Sequence, residues 1–254
     1  MEELIKINNI KKSFPKIKSP VINGASVSIF KGETLGLVGE SGCGKTTFAK
    51  AVLRLTSIQE GSVFYKGEDI LKVSDKKMRR VRKSLQVIFQ DPYASLDPSM
   101  RVGDLLEEVY IIHYYHTKDK RMRKIVELLE TVGLGESYLK RLPSELSGGE
   151  RQRIGIARSL ALEPEFIICD EPVSSLDISI QAQILNLLMD LQKKINLTYL
   201  FISHDLAVVA SICDRVVVMH KGSFIEIGPC DDIFNDPKMD YTKNLIEASK
   251  LHLF

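Results

Sequence analysis

The sequence lacks an excess of charge of either sign. Its 254 residues hold 35 Lys and Arg against 33 Asp and Glu, a net charge of +2, whereas a dedicated nucleic-acid binder shows a clear basic surplus. It lacks long apolar runs. Nothing reaches the roughly 18 apolar residues of a membrane-spanning helix, and the most apolar stretch, Leu206 to Met219, is broken by Asp214 and Arg215. The start, Met1-Glu-Glu-Leu-Ile-Lys, puts acids first and has no apolar core of the kind a secretory signal needs. Cysteine is sparse. Cys43, Cys169, Cys213 and Cys230 are scattered with no C-x-x-C pair, which argues against a disulfide frame or zinc site and for reduced thiols in a cytosolic protein. There is no internal repeat and no low-complexity tract. What remains is an ordinary globular composition, 44% hydrophobic and 27% charged, on a chain long enough to bury a core without staples. Its length fits one large domain or two small ones.

Hydrophobic patterning predicts strands and helices in alternation. Leu4, Ile5 and Ile7, then Val27 and Ile29, read as half-buried strands. Leu35 to Val38, between Gly32 and Gly39, reads as a fully buried one. Phe48, Val52 and Leu55 put a helix over Thr46 to Leu55. Strands are expected at Val63–Tyr65, Leu85–Phe89, Phe166–Cys169, Thr198–Ile202, Val216–Met219 and Phe224–Ile227. Ile184, Leu187, Leu188 and Leu191 stripe a helix between two of them. From Val102 to Leu142 the pattern is helical throughout, with Ile125, Leu128, Leu129 and Val132 on one face. A basic stretch runs from Lys72 to Lys83; with no aromatics interleaved it reads as a solvated helix rather than a phosphate or membrane contact. The whole is an α/β parallel sheet carrying a helical insertion.

Three segments carry chemistry. Gly39-Glu-Ser-Gly-Cys-Gly-Lys45-Thr46-Thr47 fits G-x-x-x-x-G-K-[ST], placed between a strand and a helix. Its glycines let backbone N–H groups converge on phosphate oxygens, the helix N-terminus adds positive potential, Lys45 adds a charge, and the Thr46 hydroxyl can ligate Mg²⁺. Phe166-Ile-Ile-Cys-Asp170-Glu171 delivers two carboxylates at the C-terminal end of a strand, where ligands of parallel sheets bind. Neighbouring strand residues point to opposite sides, so Asp170 suits the Mg²⁺ shell and Glu171 a water-polarising general base. Leu146-Ser147-Gly148-Gly149-Glu150 opens a helix running to Leu162. Helix capping accounts for Ser147 and Glu150 but leaves two consecutive glycines to be explained, as a second anion site would. His113 and His116 could share a helix face, but no nearby Asp, Glu or Cys completes a metal shell.

In order and spacing, over nearly the whole chain, these segments resemble the ATP-binding-cassette (ABC) transporter ATPases. The resemblance extends to Gln90 after the strand Leu85–Phe89, to Ser175-Leu176-Asp177, to His204 after a strand, and to Phe14, twenty-five residues before Gly39. It implies a phosphate-loop α/β core with an N-terminal antiparallel β subdomain and an inserted α-helical subdomain. The core would comprise residues 1–90 and 161–235, the helical part 91–160, and a tail 236–254. ATP and Mg²⁺ are the implied ligands. Phe14 would stack on adenine; Gly39, Ser41, Gly42, Cys43, Gly44, Lys45, Thr46 and Thr47 would cradle the phosphates. Thr46, Gln90 and Asp170 would serve the metal, and Glu171, His204 and Gln90 the hydrolysis. Ser147, Gly148 and Gly149, with Asp177, would close on the nucleotide of a second subunit in a head-to-tail dimer.

Within the family, Phe89-Gln-Asp-Pro-Tyr-Ala-Ser-Leu-Asp-Pro98, Ile225-Glu-Ile-Gly-Pro, Ile233-Phe-Asn-Asp-Pro237 and Tyr241-Thr-Lys resemble the oligopeptide, dipeptide and nickel importer group. They are closest to its second, F-type ATPase. Cys230 alone does not support the cysteine-built metal site many such tails carry. That group implies a homologous ATPase partner (a D-type chain in a heterodimer), two transmembrane permeases and an external binding protein. It also implies a place at the cytoplasmic membrane face and no nucleic acid. A nickel or metal-chelate importer stays open, as does a cassette acting in translation or DNA repair. The repair type places a long coiled coil between the loop and the Ser-Gly-Gly turn; no sustained heptads occur between Gly39 and Leu146. The translation type usually carries two cassettes. A dead interaction subunit is disfavoured by the intact Lys45, Asp170, Glu171 and His204.

Overall fold

The computed structural model describes residues 2–15, 19–91, 96–114 and 117–250. An antiparallel sheet is built by β1 (Glu3–Lys12), β2 (Ile22–Phe30), β4 (Glu60–Tyr65) and the short β5 (Glu68–Asp69), in the order β2-β1-β4-β5. A second sheet has six strands in the order β10-β9-β3-β8-β7-β6. They are β3 (Thr34–Val38), β6 (Leu85–Ile88), β7 (Phe166–Asp170), β8 (Thr198–Ile202), β9 (Arg215–His220) and β10 (Ser223–Pro229). All its neighbours run parallel except β9 and β10.

The six-stranded sheet divides two hydrophobic cores. Leu35, Leu37, Phe166, Ile168, Leu200 and Val217 face the antiparallel sheet, α1 (Lys45–Val52) and α2 (Asp75–Ser84). Their neighbours Val38, Ile167, Cys169, Tyr199, Phe201 and Val216 face the opposite side. There they meet α3 (Val102–His113), α4 (Lys118–Thr131), α5 (Gly148–Leu160), α6 (Ile178–Ile195) and α7 (Leu206–Ile212). Side chains alternate across a strand, so strands buried on both faces are apolar at nearly every position. That is why β3, β7 and β8 are buried throughout and read as near-continuous apolar runs, polar only at their ends, Thr34, Asp170 and Thr198. Helices α8 (Cys230–Asn235) and α9 (Asp240–Lys250) close the chain, with Ile233 and Ile246 buried in the second core.

The expected continuous helical pattern from Val102 to Leu142 is instead two helices and a 3₁₀ turn. Helix α3 stops at His113 because Tyr114 is extended, at φ −135 and ψ 137. Helix α4 ends before Gly133, whose φ of 75 breaks the helix, and Glu136–Lys140 forms the 3₁₀ turn. His113 is thus the last helical residue, and His116 lies outside the described residues. The basic stretch forms α2, with Met78 and Val81 buried and Lys76, Arg79 and Arg80 exposed.

Candidate functional site

The glycine loop joins β3 to α1 at the C-terminal end of the sheet. Two of its glycines are fixed by close approach. A Cβ on Gly39 would lie 2.2 Å from the Met219 carbonyl oxygen, and one on Gly44, at φ 115, 2.5 Å from that of Val21. Gly39 and Gly44 are buried, whereas Ser41, Gly42 and Thr46 are exposed and Cys43 and Thr47 half-buried. The loop's outward side is therefore its crown. Lys45 is buried, and its Nζ donates to Gly39 O (2.7 Å) and Glu40 O (3.0 Å). The first turn of α1 holds no acid of its own.

Beside the loop, Thr46 Oγ1 donates to Asp170 Oδ1 at 3.2 Å. Burial raises the Asp170 carboxyl above the usual carboxylate range, the Thr46 bond pulls it back, and Glu171 adds to the rise. A divalent cation bound here would offset the burial cost, and two hard oxygens at one point suit Mg²⁺.

Glu171 departs from the strand alternation expected of it. The strand ends at Asp170, and Glu171 takes a left-handed backbone, φ 49, while its N–H donates to Ile202 O at 2.9 Å. The turn, not strand pleating, therefore sets the direction of its side chain. Glu171 Oε2 accepts from Gln90 Nε2 at 2.9 Å and lies 3.2 Å from His204 Nδ1. Two residues from separate chain segments thus converge on one carboxylate, borne by a third. Strained non-glycine backbone of this kind persists where the surroundings over-determine it.

The Ser147-Gly-Gly turn starts α5 with a full capping box. Ser147 Oγ accepts from Glu150 N–H (3.3 Å), and Glu150 Oε2 accepts from Ser147 N–H (2.7 Å). The helix begins at Gly148 and ends at Leu160, earlier at both ends than Glu150–Leu162. The glycines also have a packing reason that the sequence did not disclose. A Cβ on Gly149 would sit 2.5 Å from Ile180 Cγ2, and one on Gly148 3.1 Å from Leu176 Cδ2. Close packing on α6 thus accounts for Gly149 without any ligand. Asp177 caps α6, its Oδ1 accepting from Ile180 N–H at 3.0 Å. Beside it Ile178 is 85% exposed. Phe14 is partly exposed, with Lys12 Nζ 4.7 Å from its ring centre. Sequence reasoning missed the outer supports of the loop, Val21, Met219 and Gly222; the glycines announce a close neighbour without naming it.

A cavity of about 1110 Å³ runs from Thr46 and Asp170 past Gln90 to Ile112 and His113, between α2, α3 and α5. Gln152 lines it, is 1% exposed, and its Nε2 has no partner among the described residues.

A parallel sheet whose central strand runs into such a loop, with paired acids ending the next strand but one, defines a phosphate-loop nucleotide hydrolase. Comparison with known proteins narrows the class. The ABC transporter family model matches residues 22–174. The oligopeptide transport ATP-binding protein OppF of Bacillus subtilis (strain 168) is 49% identical over 254 residues, covering 98% of this chain and 83% of its own. The dipeptide transport ATP-binding protein DppF of Lactococcus lactis subsp. cremoris (strain MG1363) is 46% identical over 253 residues, covering 97% and 81%. Among solved structures, cbiO1 of Clostridium perfringens, part of the ABC transporter complex cbiONQ, superposes with a TM-score of 0.84 at 24% identity, covering 100% of both chains. The ATP-binding cassette MJ0796, a dimer bound to ADP and Pi, gives 0.80 at 24%, covering 89% of this chain and 99% of its own. The chain belongs to the ABC transporter family and is an ABC-type ATPase with the fold of that family.

Proposed function

We propose that the chain is the ATP-hydrolysing subunit of a peptide importer, working by ATP-driven closure of a head-to-tail pair. The observation that carries the catalytic half is the convergence of Gln90 and His204 on Glu171, beside the Thr46–Asp170 pair. Support for the cargo comes from relatives 46–49% identical that are named for oligopeptide and dipeptide transport.

Lys45 and the loop amides bind the phosphates, and Phe14 packs on the base. Thr46, Asp170 and Gln90 hold Mg²⁺, which neutralises phosphate charge when bound. Glu171 accepts a proton from the attacking water as general base. His204 orients that carboxylate and the terminal phosphate. Ser147, Gly148, Gly149 and Asp177 belong to a neighbouring subunit's nucleotide. In support of this, β3 and the β6 edge against which α5 packs are three strand spacings, about 14 Å, apart. A bridging triphosphate holds two subunits together, and its cleavage removes the bridge.

The cavity beside Gln90 is the docking surface for a permease. It runs to Thr46 and Asp170, and Ile112, open on α3, lines it; Ile111 beside it is exposed too. No helix among the described residues is long and apolar enough to cross a membrane; in this reading permease chains form the path and this chain sits at the membrane's cytoplasmic face. A homologous ATPase, two permeases and a binding protein complete the assembly.

The test is to purify the membrane complex through a tag on this chain, reconstitute it in vesicles, and follow ATP hydrolysis. Peptide addition is expected to stimulate turnover. Stimulation by nickel chelates alone would replace the peptide reading, and recovery of ribosomes or DNA in place of permeases would overturn the transporter.

A further inference from the structure

The phosphate loop is braced from both sides. Inside, Lys45 Nζ holds the carbonyls of Gly39 and Glu40. Outside, two elements remote in sequence reach the crown. The turn between β9 and β10 donates Gly222 N–H to Cys43 O at 3.0 Å. From the first turn of α9, the Tyr241 phenol accepts the N–H of Glu40 at 3.4 Å. The Tyr241 ring packs on His220, the last residue of β9, with centroids 4.0 Å apart.

These outer contacts are themselves anchored. Gly222 O accepts Asn23 N–H at 2.8 Å, and a Cβ on Gly222 would lie 2.7 Å from Val21 O. The approach to α9 is fixed from β10, where the Glu226 carboxylate accepts Lys238 N–H (2.7 Å) and Met239 N–H (3.2 Å). Ile246 then seats the helix in the core. Tyr241 is thus delivered to the loop by a helix held at its entry and along its apolar side. Burial raises its phenol above the ordinary range, so it stays protonated, and the neutral phenol oxygen accepts the Glu40 N–H through a lone pair.

We propose that Tyr241 is a positioning residue for nucleotide binding, an outer brace that holds the crown of the phosphate loop at Glu40. The Gly39–Glu40 peptide unit is pulled both ways, its carbonyl, Gly39 O, toward Lys45 and its N–H, that of Glu40, toward Tyr241. When Lys45 turns to a phosphate, its hold on the Glu40 carbonyl is given up. The crown then relies on Tyr241 and Gly222 to keep its amides converged. A brace that matters more in one state than the other shifts the equilibrium between them. Losing the phenol therefore lowers nucleotide affinity rather than the rate of bond cleavage.

The inference rests on the nucleotide-site reading above, and the experiment separates the two. A fluorescent N-methylanthraniloyl-ATP is titrated onto the full chain carrying Tyr241→Phe, with Lys45→Ala alongside, and steady-state hydrolysis gives KM and kcat. Tyr241→Phe keeps the ring on His220 and removes only the hydroxyl. It is expected to weaken affinity and raise KM about 2- to 10-fold, the reach of one neutral hydrogen bond, with kcat at saturation unchanged. Hydrogen exchange over residues 39–44 should accelerate in the same variant, a readout that holds even if its stability falls. Unchanged affinity and exchange, with Lys45→Ala weakened, would remove the brace and leave the site standing. A loss in kcat at unchanged KM would also overturn it. Unchanged affinity in Lys45→Ala would overturn the site, and the brace with it.

Discussion

Glu171 is the residue on which the catalytic reading turns. Its Oε2 accepts from Gln90 Nε2 and lies 3.2 Å from His204 Nδ1, and its backbone is held at positive φ. Glu171→Gln keeps the size of the side chain and removes the base. Turnover should fall about 10²- to 10⁴-fold, the usual share of general-base catalysis, while N-methylanthraniloyl-ATP binds as before; near-normal turnover would reject the assignment. The identity of this acid was legible because Asp-Glu follows an apolar strand behind a phosphate loop. Its conformation was not. A left-handed backbone at a non-glycine residue leaves no mark on hydrophobic periodicity, so strand alternation was the wrong reason for the separate roles proposed for Asp170 and Glu171.

Among the elements, α5 is the most informative. Its start is written in the sequence as a capping box, Ser147 with Glu150 three residues on, and the structure makes both bonds. Its glycines were legible only as an anomaly, because the reason for Gly149 sits across a tertiary contact, on Ile180. Two substitutions in this helix should therefore move stability in opposite directions. Gly149→Ala forces a methyl against Ile180 and should cost about 1–3 kcal/mol, as overpacking does. Gly155→Ala meets nothing within 4 Å and should gain about 0.5–1 kcal/mol from helix propensity. Urea unfolding of the two variants checks the pair, and equal shifts would refute the packing account. The break at Tyr114 went unread for a related reason. The apolar spacing runs across it, and what stops α3 is one extended residue rather than a proline or glycine.

At the scale of the molecule, the parallel core was the most legible feature, since strands buried on both faces have no polar side to hide. The closing helices α7, α8 and α9 were less so, being short and packed by only a few residues each. The proposed head-to-tail pair would be a property of two such molecules. Ser147→Ala with Gly148→Asp puts a carboxylate where a phosphate is proposed to sit. The isolated chain should still bind nucleotide, but light scattering should find no ATP-induced dimer in a Glu171→Gln background. Dimerisation of that variant at wild-type strength would reject the in-trans role. The sheet that separates the two cores has one more consequence. A slip of β7 by a single residue would trade Phe166 and Ile168 for Ile167 and Cys169 across the partition, turning every side chain to the wrong side. The same slip would carry Asp170 about 3.3 Å along its axis, out of reach of Thr46. Greasy side chains far from the phosphate loop thus act as the vernier for the oxygens proposed to hold the metal, and a slip of this strand cannot misalign them without the fold itself objecting.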